Sequence, residues 1–171
     1  MFSTLLKTAT TALSLTVAAQ STLAAEPTAG TDLSGTWFVE VTGVLPDGGA
    51  YQNIMNISAD GTADVVGGWM FGAGGLKFTD SPASVTKREG ESFEIQMFAF
   101  LADAQTGVPN GLNVTVYRGD LNANGAGFSA EADLYYLPCS PAACPAPDLA
   151  SLGAPATVAQ VTGTRLARPQ K

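Results

Sequence analysis

Histidine is absent from all 171 residues. Without an imidazole there can be no Ser-His-Asp triad, no Cys-His dyad and no His-ligated metal, which are the commonest ways to activate a nucleophile or a water near neutral pH. Cysteine is scarce, with only Cys139 and Cys144 present. Their spacing is wider than the gap of a thioredoxin-like redox pair, and no histidine is available to complete a zinc shell. Charge is also scarce: Asp, Glu, Lys and Arg make up 13% of the chain, with 8 basic residues against 15 acidic. Nucleic-acid binding relies on cations that displace counterions from phosphate, so this balance argues against such a partner. No apolar run reaches the roughly 20 residues that a membrane-spanning helix needs. Carboxylates are the remaining route to catalysis, and Glu89, Glu91 and Glu94 are their densest set. Their context, Lys87-Arg88-Glu89-Gly90-Glu91, reads as a solvated turn rather than the acid pair of a glycosidase. The expectation is a protein that is not an enzyme and uses no cofactor.

The beginning of the chain carries one cation, Lys7, then an uncharged stretch from Thr8 to Ala19, then Ser21-Thr22-Leu23-Ala24-Ala25. A cation, a short apolar run and small residues in that order predict a secretory signal peptide over residues 1–24, with cleavage after Ala24 or Ala25. Without Lys7, 7 basic residues face 15 acidic ones, a formal charge of −8 on about 146 residues. That is one acidic domain, periplasmic or secreted, with no integral membrane segment after signal removal. An oxidising compartment makes a Cys139–Cys144 disulfide the expected state of both thiols.

Residues 25–34 are polar and turn-rich and predict a flexible N-terminal arm. From Gly35 the pattern has period two, which predicts a single β-domain over 35–168. Trp37, Val39 and Val41 share one face of a first strand. Asp60-Gly61 separates two β-prone runs, 52–58 and 62–71, and predicts a hairpin. Phe93, Ile95, Met97 and Ala99 share a face of 92–100. A second hairpin joins 112–121 to 126–137 through Asn124-Gly125, placing Leu121 opposite Phe128, Tyr117 opposite Ala132 and Thr115 opposite Leu134. On its other face Arg118 meets Glu131. Residues 138–155 hold five of the ten prolines and both cysteines, so they read as a loop. Thr157–Ala167 is a final strand, and weaker candidates lie at 76–78 and 84–88. The fold class is all-β, an antiparallel up-and-down barrel of about eight strands, with a β-sandwich as the alternative. Closure is preferred because it removes exposed edges, and Gly43, Gly67, Gly68, Ala130, Ala132 and Gly163 suit sharply curved strands.

Asp32-Leu33-Ser34-Gly35-Thr36-Trp37-Phe38 resembles the opening strand of the calycin barrels, the group of lipocalins, avidins and periplasmic metalloprotease inhibitors. In lipocalins an arginine near the last strand covers the tryptophan of the Gly-x-Trp on the first. The resemblance implies structural roles for Trp37 and Arg165, the arginine stacking on the indole while its donors reach backbone carbonyls. Leu33-Ser34-Gly35-Thr36-Trp37 is similar to the opening of the inhibitor barrels as well, though there the disulfide lies early, whereas Cys139 and Cys144 come late. Biotin binding of the avidin kind uses several tryptophans, and this chain has only Trp37 and Trp69.

Three further features bear on function. Asp120, Asn122, Asn124 and Glu131 around Gly125 match the spacing of a calcium loop, but the same residues form the second hairpin, whose turn is the preferred reading. The uncharged run from Val65 to Leu76 is either a strand buried on both sides and its turn, or it brings Trp69, Met70 and Phe71 to a barrel mouth as ligand-binding residues. Phe98 and Phe100 point away from the Ile95 face, so they form an outer apolar patch, shared with Phe38, or lie under the Pro-rich loop. The preferred function is an exported, non-catalytic barrel that binds a small apolar ligand or a protein partner. The alternatives are a periplasmic protease inhibitor acting through its arm and a structural, envelope-associated domain.

Overall fold

The structure, a computed structural model, describes residues 32–45, 47–68, 75–87, 90–140, 143–144 and 146–167. The expected signal peptide and most of the arm lie outside them, as do Trp69, Met70 and Phe71. The strands are β1 (Gly35–Thr42), β2 (Tyr51–Ile57), β3 (Thr62–Gly67), β4 (Leu76–Phe78), β5 (Ser81–Lys87), β6 (Ser92–Asp103), β7 (Pro109–Leu121), β8 (Gly127–Pro138) and β9 (Thr157–Arg165). Every pairing is antiparallel, and eight strands close into a ring because β9 pairs with both β8 and β1. β4 is the additional strand. It and β5 follow the same edge of β6, their registers differing by one residue, as Leu76 pairs with Asp103 and Ala83 with Met97. Thr79 spans the break, its amide donating to the Phe100 carbonyl at 3.1 Å and its hydroxyl accepting from the Phe100 amide at 3.1 Å.

Alternation decides which side chains enter the ring. Trp37, Val39, Val41, Met55, Ile57, Val65, Phe93, Ile95 and Val161 are all buried in one core, as side chains on one face of a pleated strand must be. The expected register of the second hairpin holds, with Leu121 opposite Phe128, Tyr117 opposite Ala132 and Thr115 opposite Leu134. Its loop is wider than two residues: the Asn122 amide donates to the Gly127 carbonyl and the Gly125 amide to the Asn122 carbonyl, each at 2.8 Å. The widening is symmetrical, so the register survives it. Gly125 sits at φ +64°, a left-handed conformation in which a Cβ is strained. Small residues serve the curvature. A Cβ on Gly163 would lie 2.0 Å from the Phe128 ring, which packs across that glycine.

The seams of the ring are unequal. β7 and β8 share eleven residue pairs, whereas β3 and β5 share four, one of them Asp64 with Pro82. A proline has no amide proton to give to a ladder.

Cys139 and Cys144 form a disulfide with Cα atoms 5.0 Å apart. Its loop folds back over the outside of β7, where Leu112, Val114 and Val116 are buried beneath Cys139, Cys144, Leu149 and Leu152. Phe98 packs half-buried into this cluster. Phe100 remains 40% exposed, and Phe38, 37% exposed, lies across the ring on β1. The expected patch is therefore divided: Phe98 belongs to the covered cluster, and Phe38 instead joins a row with Ile54 and Val66 on neighbouring strands. Among the described residues no helix is long and apolar enough to cross a membrane.

Two stability measurements test this architecture. Trp37 is 0% exposed, so Trp37→Ala is expected to cost about 3–5 kcal/mol in chemical denaturation; an unchanged midpoint would place the indole outside the core. The disulfide closes only a short ring, and Cys139→Ser with Cys144→Ser should cost at most about 2 kcal/mol. Far-UV circular dichroism of the double variant should remain that of the parent, and loss of the strand signal would show that the bridge supports the whole barrel.

Candidate functional site

Strand directions give the barrel two different ends. β1 begins, and β9 ends, at the end where Trp37 and Arg165 pair. The Arg165 guanidinium carbon lies 4.3 Å from the indole centroid. Its Nε donates to the Gly125 carbonyl at 2.9 Å, Nη1 to the Ser34 carbonyl at 2.5 Å, and Nη2 to the Asp32 carbonyl. The Trp37 Nε1 donates to the Leu33 carbonyl at 2.8 Å. Phe128 packs between Trp37 and Phe93, with ring centroids 5.2 Å from each. Side chains and a cation thus seal this end. Asp32–Ser34, the described part of the expected arm, belong to the seal, and Leu33 is buried.

The calcium-like residues sit beside this closed end and are not brought together. Asp120 accepts from the Ser92 hydroxyl at 2.5 Å, Asn124 Oδ1 from the Ala126 amide at 3.0 Å, and Glu131 from Gln160 Nε2 at 3.4 Å. Asp120 pairs with Ser129 and Glu131 with Arg118, so the two carboxylates stand on different rungs of the ladder. Arg118 faces Glu131 in register, but its guanidinium bonds Glu94 at 3.0 Å and Asp133 at 2.5 Å. The two carboxylates raise its pKa against the opposing effect of desolvation. Glu94 is the register partner of Arg118 on β6, and Asp133 is a diagonal neighbour on β8 that strand twist brings within reach of a long side chain.

The opposite end is open. A cavity of about 160 Å³ enters the barrel there. Val65, Leu76, Met97, Leu101 and Leu134 supply its apolar wall, and Tyr51, Tyr135 and Tyr136 line it at the strand ends. Below it the barrel is filled. The Tyr117 hydroxyl contacts Met97 Sδ at 3.9 Å, and burial, with a smaller effect of Tyr51, raises the pKa of that phenol far above its ordinary value, leaving it neutral. Asn53, Ser81, Asn113, Thr115 and Glu94 are the buried polar or charged residues among those described. The first four all line the cavity, so the buried polar groups inside the barrel collect at one place. Asn113 Nδ2 donates to Thr115 Oγ1 at 2.7 Å, and Ser81 Oγ donates to the Thr79 carbonyl at 3.2 Å. The position of Asn53 depends on its cross-strand neighbour: a Cβ on Gly67 would fall 1.5 Å from Asn53 Oδ1. Tyr136 lies over Gly111 in the same way and donates to the Asn110 carbonyl at 2.9 Å.

The expected ligand contacts Trp69, Met70 and Phe71 lie outside the described residues, although the flanking Gly67 and Leu76 line the cavity. Reading by sequence alone missed Asn53, Asn113 and Thr115 as site residues. The available signal was parity, because each shares the inward face of its strand with an apolar residue: Asn53 with Met55, and Asn113 and Thr115 with Tyr117. Comparison of the chain with protein-family models, with curated proteins and with solved structures finds no match.

The placement of the four calcium-like residues leads to a direct prediction. Calorimetric titration should show no stoichiometric calcium binding at micromolar concentrations, because the hairpin and its partners keep Asp120 and Glu131 apart. A one-to-one isotherm abolished by Asp120→Ala would overturn the hairpin geometry.

Proposed function

We propose that the chain is an exported, non-catalytic barrel that binds a small molecule in the cavity at its open end. The observation that carries this reading is the contrast between the two halves of the interior. One half is filled by the barrel's own side chains, while the other holds about 160 Å³ of space lined by four buried polar residues. A barrel of eight strands either fills with side chains or holds one small ligand, and this one does each in a different half. Size narrows the ligand. An apolar cavity of roughly 150 Å³ accommodates benzene, so a single ring or a short chain fits, and a long acyl chain or a fused polycycle does not. The sixteen lining residues include no acid, base or thiol, which supports binding without chemistry. The disulfide supports an oxidising compartment, and residues 1–24 supply the expected route to it.

Native mass spectrometry of protein purified from its own host tests the reading. A bound mass of single-ring size is expected. Leu134→Trp, which enlarges a half-buried residue of the cavity wall, should abolish it while the circular dichroism spectrum is kept. Protein that carries no extra mass and binds no small probe would remove the proposal. Loss of protease inhibition on deletion of residues 26–31, which keeps Asp32 and Leu33 in the seal, would favour the inhibitor alternative.

A further inference from the structure

We infer that the cavity selects electrically neutral, ring-sized molecules bearing one hydrogen-bonding head group, and that Asn53, Asn113 and Thr115 hold that head. This rests on the binding reading above and specifies its ligand class. The three residues converge from two non-adjacent strands, since Asn53 lies on β2 while Asn113 and Thr115 lie on β7. Each is nearly fully buried, at 6%, 5% and 2% exposure. Asn53 Oδ1 lies against Gly67 at the cavity wall, and a buried amide that faces a cavity is satisfied by what enters it. Asn113 uses one amide proton on Thr115 Oγ1. Its carbonyl oxygen and second proton remain available, and the hydroxyl that accepts the bond keeps its own proton to donate. The cavity thus offers neutral donors and neutral acceptors side by side, over a wall of Val65, Met97 and Leu101.

What the lining lacks defines the other half of the selection. None of the sixteen lining residues carries a charge. The charges adjacent in sequence to lining residues, Asp64 on β3, Lys77 on β4, Asp80 before β5 and Asp133 on β8, are not among those that line it. A carboxylate or an ammonium moved from water into this space would lose its hydration and gain no counter-charge, which disfavours an unpaired ion strongly. A carboxamide or hydroxyl head loses less, and the asparagines and the threonine replace its water contacts. A ligand with no head group at all leaves those residues unsatisfied. The order of affinity is therefore set by the head group on a constant ring.

Benzamide, benzoate, benzylamine and toluene share one ring and differ in the head. Their affinities for the full-length mature protein, measured by calorimetry at neutral pH, test the inference. Benzamide is expected to bind at least about tenfold more tightly than benzoate or benzylamine. Asn113→Leu should remove the advantage of benzamide over toluene. Thr115→Val, which keeps shape and removes the hydroxyl, should reduce it and serves as the second variant if Asn113→Leu does not fold. Binding of toluene together with equal binding of benzamide and the two ions would overturn the neutral selection and leave small-molecule binding standing. Tighter binding of either ion would do the same. Failure of all four probes to bind would overturn both.

Discussion

The guanidinium of Arg165 ties the barrel together at the point where the ring must close. It stands on the last strand, stacks on an indole of the first, and bonds carbonyls of the lead-in at Asp32 and Ser34 and of the β7–β8 tip at Gly125. Three segments far apart in sequence thereby share one cation. The planar fork suits this task because its donors point in fixed, divergent directions while its face remains free to stack. A lysine at the same position would supply one point of charge and no face. With this end fixed, the pairing of β1 with β9 is set, and the remaining ring strands follow as a meander in which β4 stands aside, so that β3 pairs with β5.

Sealing one end with side chains determines where function can reside. The aromatic layer of Trp37, Phe93 and Phe128 fills the lower barrel, and glycine at 163 lets Phe128 lie flat across a neighbouring strand. Toward the open end the inward residues become smaller or polar, as at Ala132, Ala159, Thr115 and Asn53. Space remains there between these residues and the rings of Tyr51, Tyr135 and Tyr136 that line the mouth. The cavity is thus a product of how side-chain volume is distributed along the barrel axis, and it requires no departure from ordinary strand geometry.

Much of this architecture is legible in the sequence because it depends on local alternation. Trp37, Val39 and Val41 on one face, Phe93 to Ala99 on another, and the symmetrical flanks of Asn124-Gly125 fix strand identity and register without tertiary information. The start of β7 is less legible: the alternation places it at Leu112, yet β7 begins at Pro109, which pairs with Ala102 across an irregularity in the ladder. Arg118 shows a second limit. The hairpin register alone assigns it Glu131, whereas its guanidinium meets Glu94, its partner on the other neighbouring strand, and the diagonal Asp133. The cavity was the least legible feature, since Asn53, Ser81, Asn113 and Thr115 come from three strands and meet only after closure. A polar residue on an inward face is easily taken for an interruption of the core until its counterparts are seen across the ring.

The short β3–β5 seam gives the closed ring a preferred line of weakness. A cylinder under thermal agitation parts where the fewest bonds must break together, and here that is a run of four residue pairs interrupted by Pro82. Val65 and Ser81 form one of those pairs, and both also line the cavity. The β7–β8 wall opposite is buttressed by the disulfide loop packed on its outer surface. The mouth therefore has one side braced by a packed loop and one held by few ladder pairs, so its resistance to deformation is uneven around the rim.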